Sequence, residues 1–109
     1  MVDTYKIIIT TRAQRSLENI IDYVRDNVSD ATARKVRDGI DEAIEKVKKM
    51  PQANSIQRDI TNEEMTYRRI LQWSYRVIYY IDETTKTVFI VEIDHSRRNP
   101  ETLKKVFNP

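Results

Sequence analysis

Apolar residues fall at two different periods along this chain. Between Arg12 and Met50 they recur every three or four positions, the spacing of helices with one buried stripe. Ala13, Leu17, Ile20, Ile21, Val24 and Val28 form the first stripe and predict a helix from about Arg12 to Val28, with Thr10 or Thr11 as its N-cap. Ala33, Val36, Ile40, Ala43, Ile44, Val47 and Met50 form the second, in a helix that Ser29 or Asp30 caps and Pro51 helps to end near Met50. Gly39 lies inside it at a cost of roughly 1 kcal/mol relative to alanine, and the expected reason is close approach of the two helices. Ahead of both, Tyr5-Lys6-Ile7-Ile8-Ile9-Thr10 has the β-branched density of a strand.

From Tyr67 to Asn99 the period is two. Tyr75, Val77, Tyr79 and Ile81 point one way, and Arg76, Ile78, Tyr80 and Asp82 the other. Glu83-Thr84-Thr85-Lys86 is polar and of hairpin-loop length. The next strand runs from Val88 to Asp94. There Phe89, Val91 and Ile93 make an uninterrupted apolar set, while Val88, Ile90, Glu92 and Asp94 turn polar towards the end. One sheet face should therefore be core and the other charged. Residues 51–65 are a polar connection, longer than most loops and so expected to be mobile or functional. Pro100 to Phe107 should form a short closing helix with Leu103, Val106 and Phe107 turned inward. The order is β-α-α-β-β-β(-α), an α+β fold in which a helical hairpin packs on one face of a small antiparallel sheet.

Composition narrows the function classes. The length suits one domain, residues 1–109, with a single core. Without cysteine there is neither a disulfide framework nor a thiolate metal site, which fits a reducing compartment. Asp3 and a three-residue apolar run argue against a signal peptide, and no apolar stretch is long enough to span a bilayer. A cytoplasmic protein without membrane contact is expected. Residues 1–65 hold 11 Lys/Arg against 12 Asp/Glu, a balance of −1, and residues 66–109 hold 8 against 5, a balance of +3. The sheet-forming half thus suits an anionic partner, although a protein living on nucleic acid alone usually carries more positive charge.

The candidate chemistry lies in that half. Arg76 should point away from the core, with Glu92 or Asp94 within cross-strand reach; it is either half of an ion pair or a fork for phosphate or carboxylate. His95, the only histidine, is structural or a general acid–base. Arg97-Arg98 follow it, and Arg68-Arg69 open the second strand. A face collecting Arg76, His95 and some of these arginines would suit a phosphodiester or an acidic peptide. One histidine without cysteine leaves no metal site, Ser96 lacks the surroundings of a nucleophile, and a single glycine excludes glycine-rich phosphate loops. No cofactor is expected.

YRVIYYIDE at 75–83, VFIVEIDHSRRNPE at 88–101, RAQRSLENIIDYV at 12–24 and the Met50-Pro51 helix end together resemble the RelE/ParE superfamily, the toxin halves of bacterial type II toxin–antitoxin pairs. The resemblance implies growth inhibition, plasmid stabilisation, and neutralisation by a cognate antitoxin whose C-terminal segment wraps the toxin as a hetero-oligomer. The RelE-like branch is a ribosome-dependent mRNA endonuclease, for which Arg76, His95 and Arg98 would be the catalytic set. The ParE-like branch inhibits DNA gyrase and needs only a binding surface, for which Arg68, Arg69, Arg76, Arg97 and Arg98 are the candidates. RelE-like members often carry a tyrosine near the C-terminus, and this chain has none after Tyr80; they favour basic residues before the second strand, where only Arg58 stands. The ParE-like branch is therefore favoured. A non-toxic member that serves only as a binding partner is the third reading.

Overall fold

The computed structural model describes residues 4–107. Strand β1 (Lys6–Ile9) leads into helix α1 (Thr11–Asn27), where the Thr10 hydroxyl accepts the Ala13 N–H; α2 (Asp30–Lys49) follows, with the Ser29 hydroxyl accepting the Thr32 N–H. Each such cap is worth about 1 kcal/mol. A single 3₁₀ turn, Pro51–Ala53, takes over where α2 stops. Strands β2 (Arg68–Gln72), β3 (Tyr75–Asp82) and β4 (Thr87–His95) form the expected meander, and α3 (Pro100–Phe107) closes the chain. Val28 and Met50, the last members of the two predicted stripes, are exposed because both helices end at them; Val106 of α3 is exposed as well.

The strand order is β1-β4-β3-β2. β2, β3 and β4 are antiparallel neighbours, whereas β1 runs parallel to β4, so the sheet is mixed. The helical hairpin covers one face. Leu17, Ile21, Ile40 and Val47 pack there on Val77, Tyr79, Val88, Ile90 and Ile93. The reverse face carries a second apolar cluster of Ile60, Ile78, Val91 and Leu103, flanked by Tyr67, Tyr80, Phe89 and Phe107. Only its other end is charged.

β3 alternates as its sequence indicates, but β4 does not. Ile78 pairs with Glu92 and Tyr79 with Ile90, which leaves Val91 as an extra residue in a β-bulge. Phe89 and Val91 therefore share the reverse face, while Ile93 joins the helix side. The three do not form one set, because the bulge shifts the parity of the strand. Val88 and Ile90, read as lying on the polar side, are instead core.

Gly39 also has a different reason from the expected one. A Cβ there would lie 2.5 Å from two atoms of the Trp73 ring, so the glycine admits the β2–β3 turn and not helix α1. Gly39→Ala would gain about 1 kcal/mol in helix propensity yet push the indole outward. The expected result is a red-shifted tryptophan emission with stability changed by less than about 1 kcal/mol; unshifted emission would show that the ring does not depend on this glycine.

Candidate functional site

A groove of about 760 Å³ runs along the outer edge of β2, lined by residues 54–59 together with Arg68, Arg69, Leu71, Arg76 and Ser96. Its far wall is the connection expected to be a polar loop. Residues 55–57 lie beside β2: Ile56 bridges Arg68, the Arg69 N–H donates to the Ser55 carbonyl, and the Gln57 N–H donates to that of Tyr67. Buried Ile60 fastens the segment to the reverse-face cluster. The Tyr79 hydroxyl anchors its start, donating to the Pro51 carbonyl at 2.6 Å and accepting from Asn54 Nδ2 at 3.0 Å. Burial pushes the Tyr79 pKa above the ordinary tyrosine value.

Arg58, Arg68, Arg69 and Arg76 line this groove against one acid, Asp59. Arg68 Nη1 donates to the Asn54 carbonyl at 2.7 Å, and Arg69 Nη1 to the Ile56 carbonyl at 3.0 Å. These bonds aim each guanidinium and leave its other N–H groups to donate. Leu71, 52% exposed, gives the groove an apolar end.

Arg76 is differently placed. It is 8% exposed, and its Nε and Nη2 donate to the two Asp94 oxygens, each at 2.8 Å, a fork-to-fork pair across β3 and β4. The hydrogen bond to Asp94 raises its pKa further, against the opposing effect of burial. Glu92, fully buried, accepts from Arg98 Nη1 at 2.9 Å, from Arg12 Nε at 3.1 Å and from the Ile93 N–H. Arg98 also comes within 3.7 Å of Asp94. Three arginines and two acids thus form one network behind the groove.

The structure separates the histidine from this network. His95 stands opposite Tyr75 in the register and meets its ring edge-on at 5.7 Å, on the helix side of the sheet, while Arg76 and Asp94 share the reverse. Its Nδ1 accepts the N–H of Arg97, whose side chain is exposed. The expected face holding both Arg76 and His95 does not form, since residues 94 and 95 point to opposite sides. The sequence gives no sign of a site role for Arg12, Asn54 and Gln57; the reach of Arg12 to Glu92 depends on how the β1–α1 corner sits against β4. Among the described residues, no group of three His, Asp or Glu could hold a metal ion, and no helix is long and apolar enough to cross a membrane.

Residues 7–100 match the family described as ParE toxin of type II toxin-antitoxin system, parDE. The chain belongs to the ParE toxin family. Solved structures agree on the fold. A chain of the chromosomal ParDE toxin–antitoxin system of P. aeruginosa superposes with a TM-score of 0.68 at 16% identity, over 84% of this chain and 96% of that one. One from the Mycobacterium tuberculosis RelBE2 toxin–antitoxin complex gives 0.59 at 21% identity, over 87% and 94%. A mutant E. coli RelE toxin in the free state gives 0.57 at 12% identity, over 95% and 96%. No curated protein matches the sequence significantly. For this ParE-family toxin, then, the groove and its arginines are the surface to explain.

Proposed function

We infer that this toxin acts by binding and inhibiting DNA gyrase in the cytoplasm, and that a cognate antitoxin neutralises it by laying an acidic segment in the Arg58–Arg68–Arg69 groove. The observation that carries this reading is the engagement of Arg76 with Asp94 while His95 faces the other way. A nuclease needs a cation for phosphate charge and a group that moves a proton, both converging on one atom. Here the cation is occupied and the histidine lies across the sheet. Binding needs neither, and free guanidinium N–H groups beside an apolar Leu71 suit carboxylates on an extended peptide.

The basic groove also fits a phosphodiester, which keeps a ribosome-dependent endonuclease using Arg76, His95 and Arg98 as the second reading. Purified toxin should block supercoiling of relaxed plasmid by gyrase and leave ribosome-bound message uncut. Cleavage of message without a supercoiling defect would replace the first reading by the second; neither effect, with no growth defect on expression, would leave a non-toxic binding partner. For the groove, the Arg68→Ala/Arg69→Ala variant should bind antitoxin roughly 10–100-fold more weakly, as charge-assisted bonds of about 1.5–3 kcal/mol are lost. Calorimetric titration measures this, and unchanged affinity would place the antitoxin elsewhere.

A further inference from the structure

At the end of the sheet that carries the β2–β3 turn, the groove takes Leu71 and Arg76 on the reverse face, and the helix side is left to other residues. Trp73, the first turn residue and the only tryptophan, has φ 54°, a left-handed conformation unusual for so bulky a side chain. Such strain persists only where the surroundings hold it, and it gathers at functional positions. The residue is nonetheless 54% exposed. One edge rests on the space left by Gly39, and Lys35, one turn earlier on α2, holds its ammonium 5.9 Å from the ring centroid. The turn thus pushes a large aromatic ring outward at a fixed angle, where burying it would have been the ordinary outcome.

The neighbouring residues continue the pattern. Gln72, Tyr75 and His95 form one cross-strand row on the helix side, with the Tyr75 and His95 rings edge to face and His95 exposed. Exposed Arg97 is tied to this row by its N–H bond to His95 Nδ1. Three rings, Trp73, Tyr75 and His95, therefore share this end of the sheet with two cations, Lys35 beside the indole and Arg97 beside the histidine. Asp38 is the acid on the same turn of α2 as Lys35, and Arg37 on that turn is already paired with Glu18.

We propose that this end of the sheet, centred on Trp73, binds single-stranded nucleic acid, with an unpaired base stacked on the indole and flanking phosphates met by Lys35 and Arg97. Every base offers a π-face, so a projecting ring beside cations suits a flexible single strand without regard to sequence. A duplex hides its base faces, which makes it the discriminating control. An acidic peptide would meet the same cations without using the ring faces, which makes it the second control. The site lies apart from the groove, so it stands or falls independently of which target the toxin inhibits.

The sole tryptophan supplies the readout. Titrating the full-length toxin with an oligothymidylate of about 12 nucleotides should quench its fluorescence to saturation, and binding should fall with salt at a log–log slope of roughly −1 to −2 for two phosphate contacts. Trp73→Gly, which suits the left-handed φ and keeps the turn, should weaken binding of the labelled oligonucleotide roughly 5–100-fold, as expected for one lost stacking contact. Lys35→Ala retains the tryptophan and should weaken binding less while flattening the salt slope by about one phosphate. No quenching, equal quenching by a poly-glutamate peptide, equal binding of the matching duplex, or unchanged affinity in folded Trp73→Gly would each overturn the proposal.

Discussion

Asp94→Ala should lower the stability of this fold by about 3–5 kcal/mol, the cost of stranding one member of a buried ion pair. Arg76 cannot shed its proton, and with Asp94 gone two of its donors lose their acceptors at a site only 8% exposed. The reciprocal change is milder. In Arg76→Ala the Asp94 carboxylate still has Arg98 within 3.7 Å, and that side chain can swing in from a more exposed position. Replacing both members by apolar residues of similar volume should recover much of the loss, because no charge is then left unpaired. Urea denaturation of the two single variants and the double one measures all three quantities. An Asp94→Ala midpoint close to wild type would mean that the pair is solvated. The asymmetry also bears on function: Arg76→Ala is expected to weaken toxicity more than Lys86→Ala, and soluble protein levels will show how much of that difference is folding.

Leu103→Ala should release α3 from the sheet while leaving the rest of the fold in place. Leu103 is fully buried against Ile60, Ile78 and Val91, and such truncations cost about 2–5 kcal/mol in a packed core. Beyond it, α3 is held by Phe107, whose ring meets Tyr67 at 5.5 Å and lies under the Arg12 guanidinium at 5.9 Å. A terminal helix attached at so few points opens locally before the molecule unfolds. Hydrogen exchange should therefore show protection lost in 100–107 and retained in β3. Uniform loss across both would make α3 integral to the cooperative unit.

How far the sequence could be read depended on which signals are local. Helical periodicity and the hydroxyl caps at Thr10 and Ser29 are local, and both helices lie where the pattern places them. The strict alternation in β3 is local too. The bulge at Val91 is not: it arises from pairing with Ile78, and it reassigns Phe89, Val91, Val88 and Ile90 to faces that β4 alone does not indicate. Residues 51–65 look polar because only Pro51, Ala53, Ile56, Ile60 and Met65 are apolar, yet buried Ile60 and the Tyr79 anchor pin the segment and create the groove wall. Arginines were found by type, but their roles follow from partners that lie far off in sequence, as Glu92 does from Arg12. Trp73 carried no periodic signal at all; its meaning appears only with Gly39 beneath it.

The parallel seating of the first strand against the last has a bearing on biosynthesis. Lys6–Ile9 bond to Thr87–Ile90, about 80 positions later, so the first strand has no place to dock until residues 87–90 have left the ribosome. The helical hairpin can assemble during translation, but a nascent chain halted before Thr87 leaves three consecutive isoleucines unpaired.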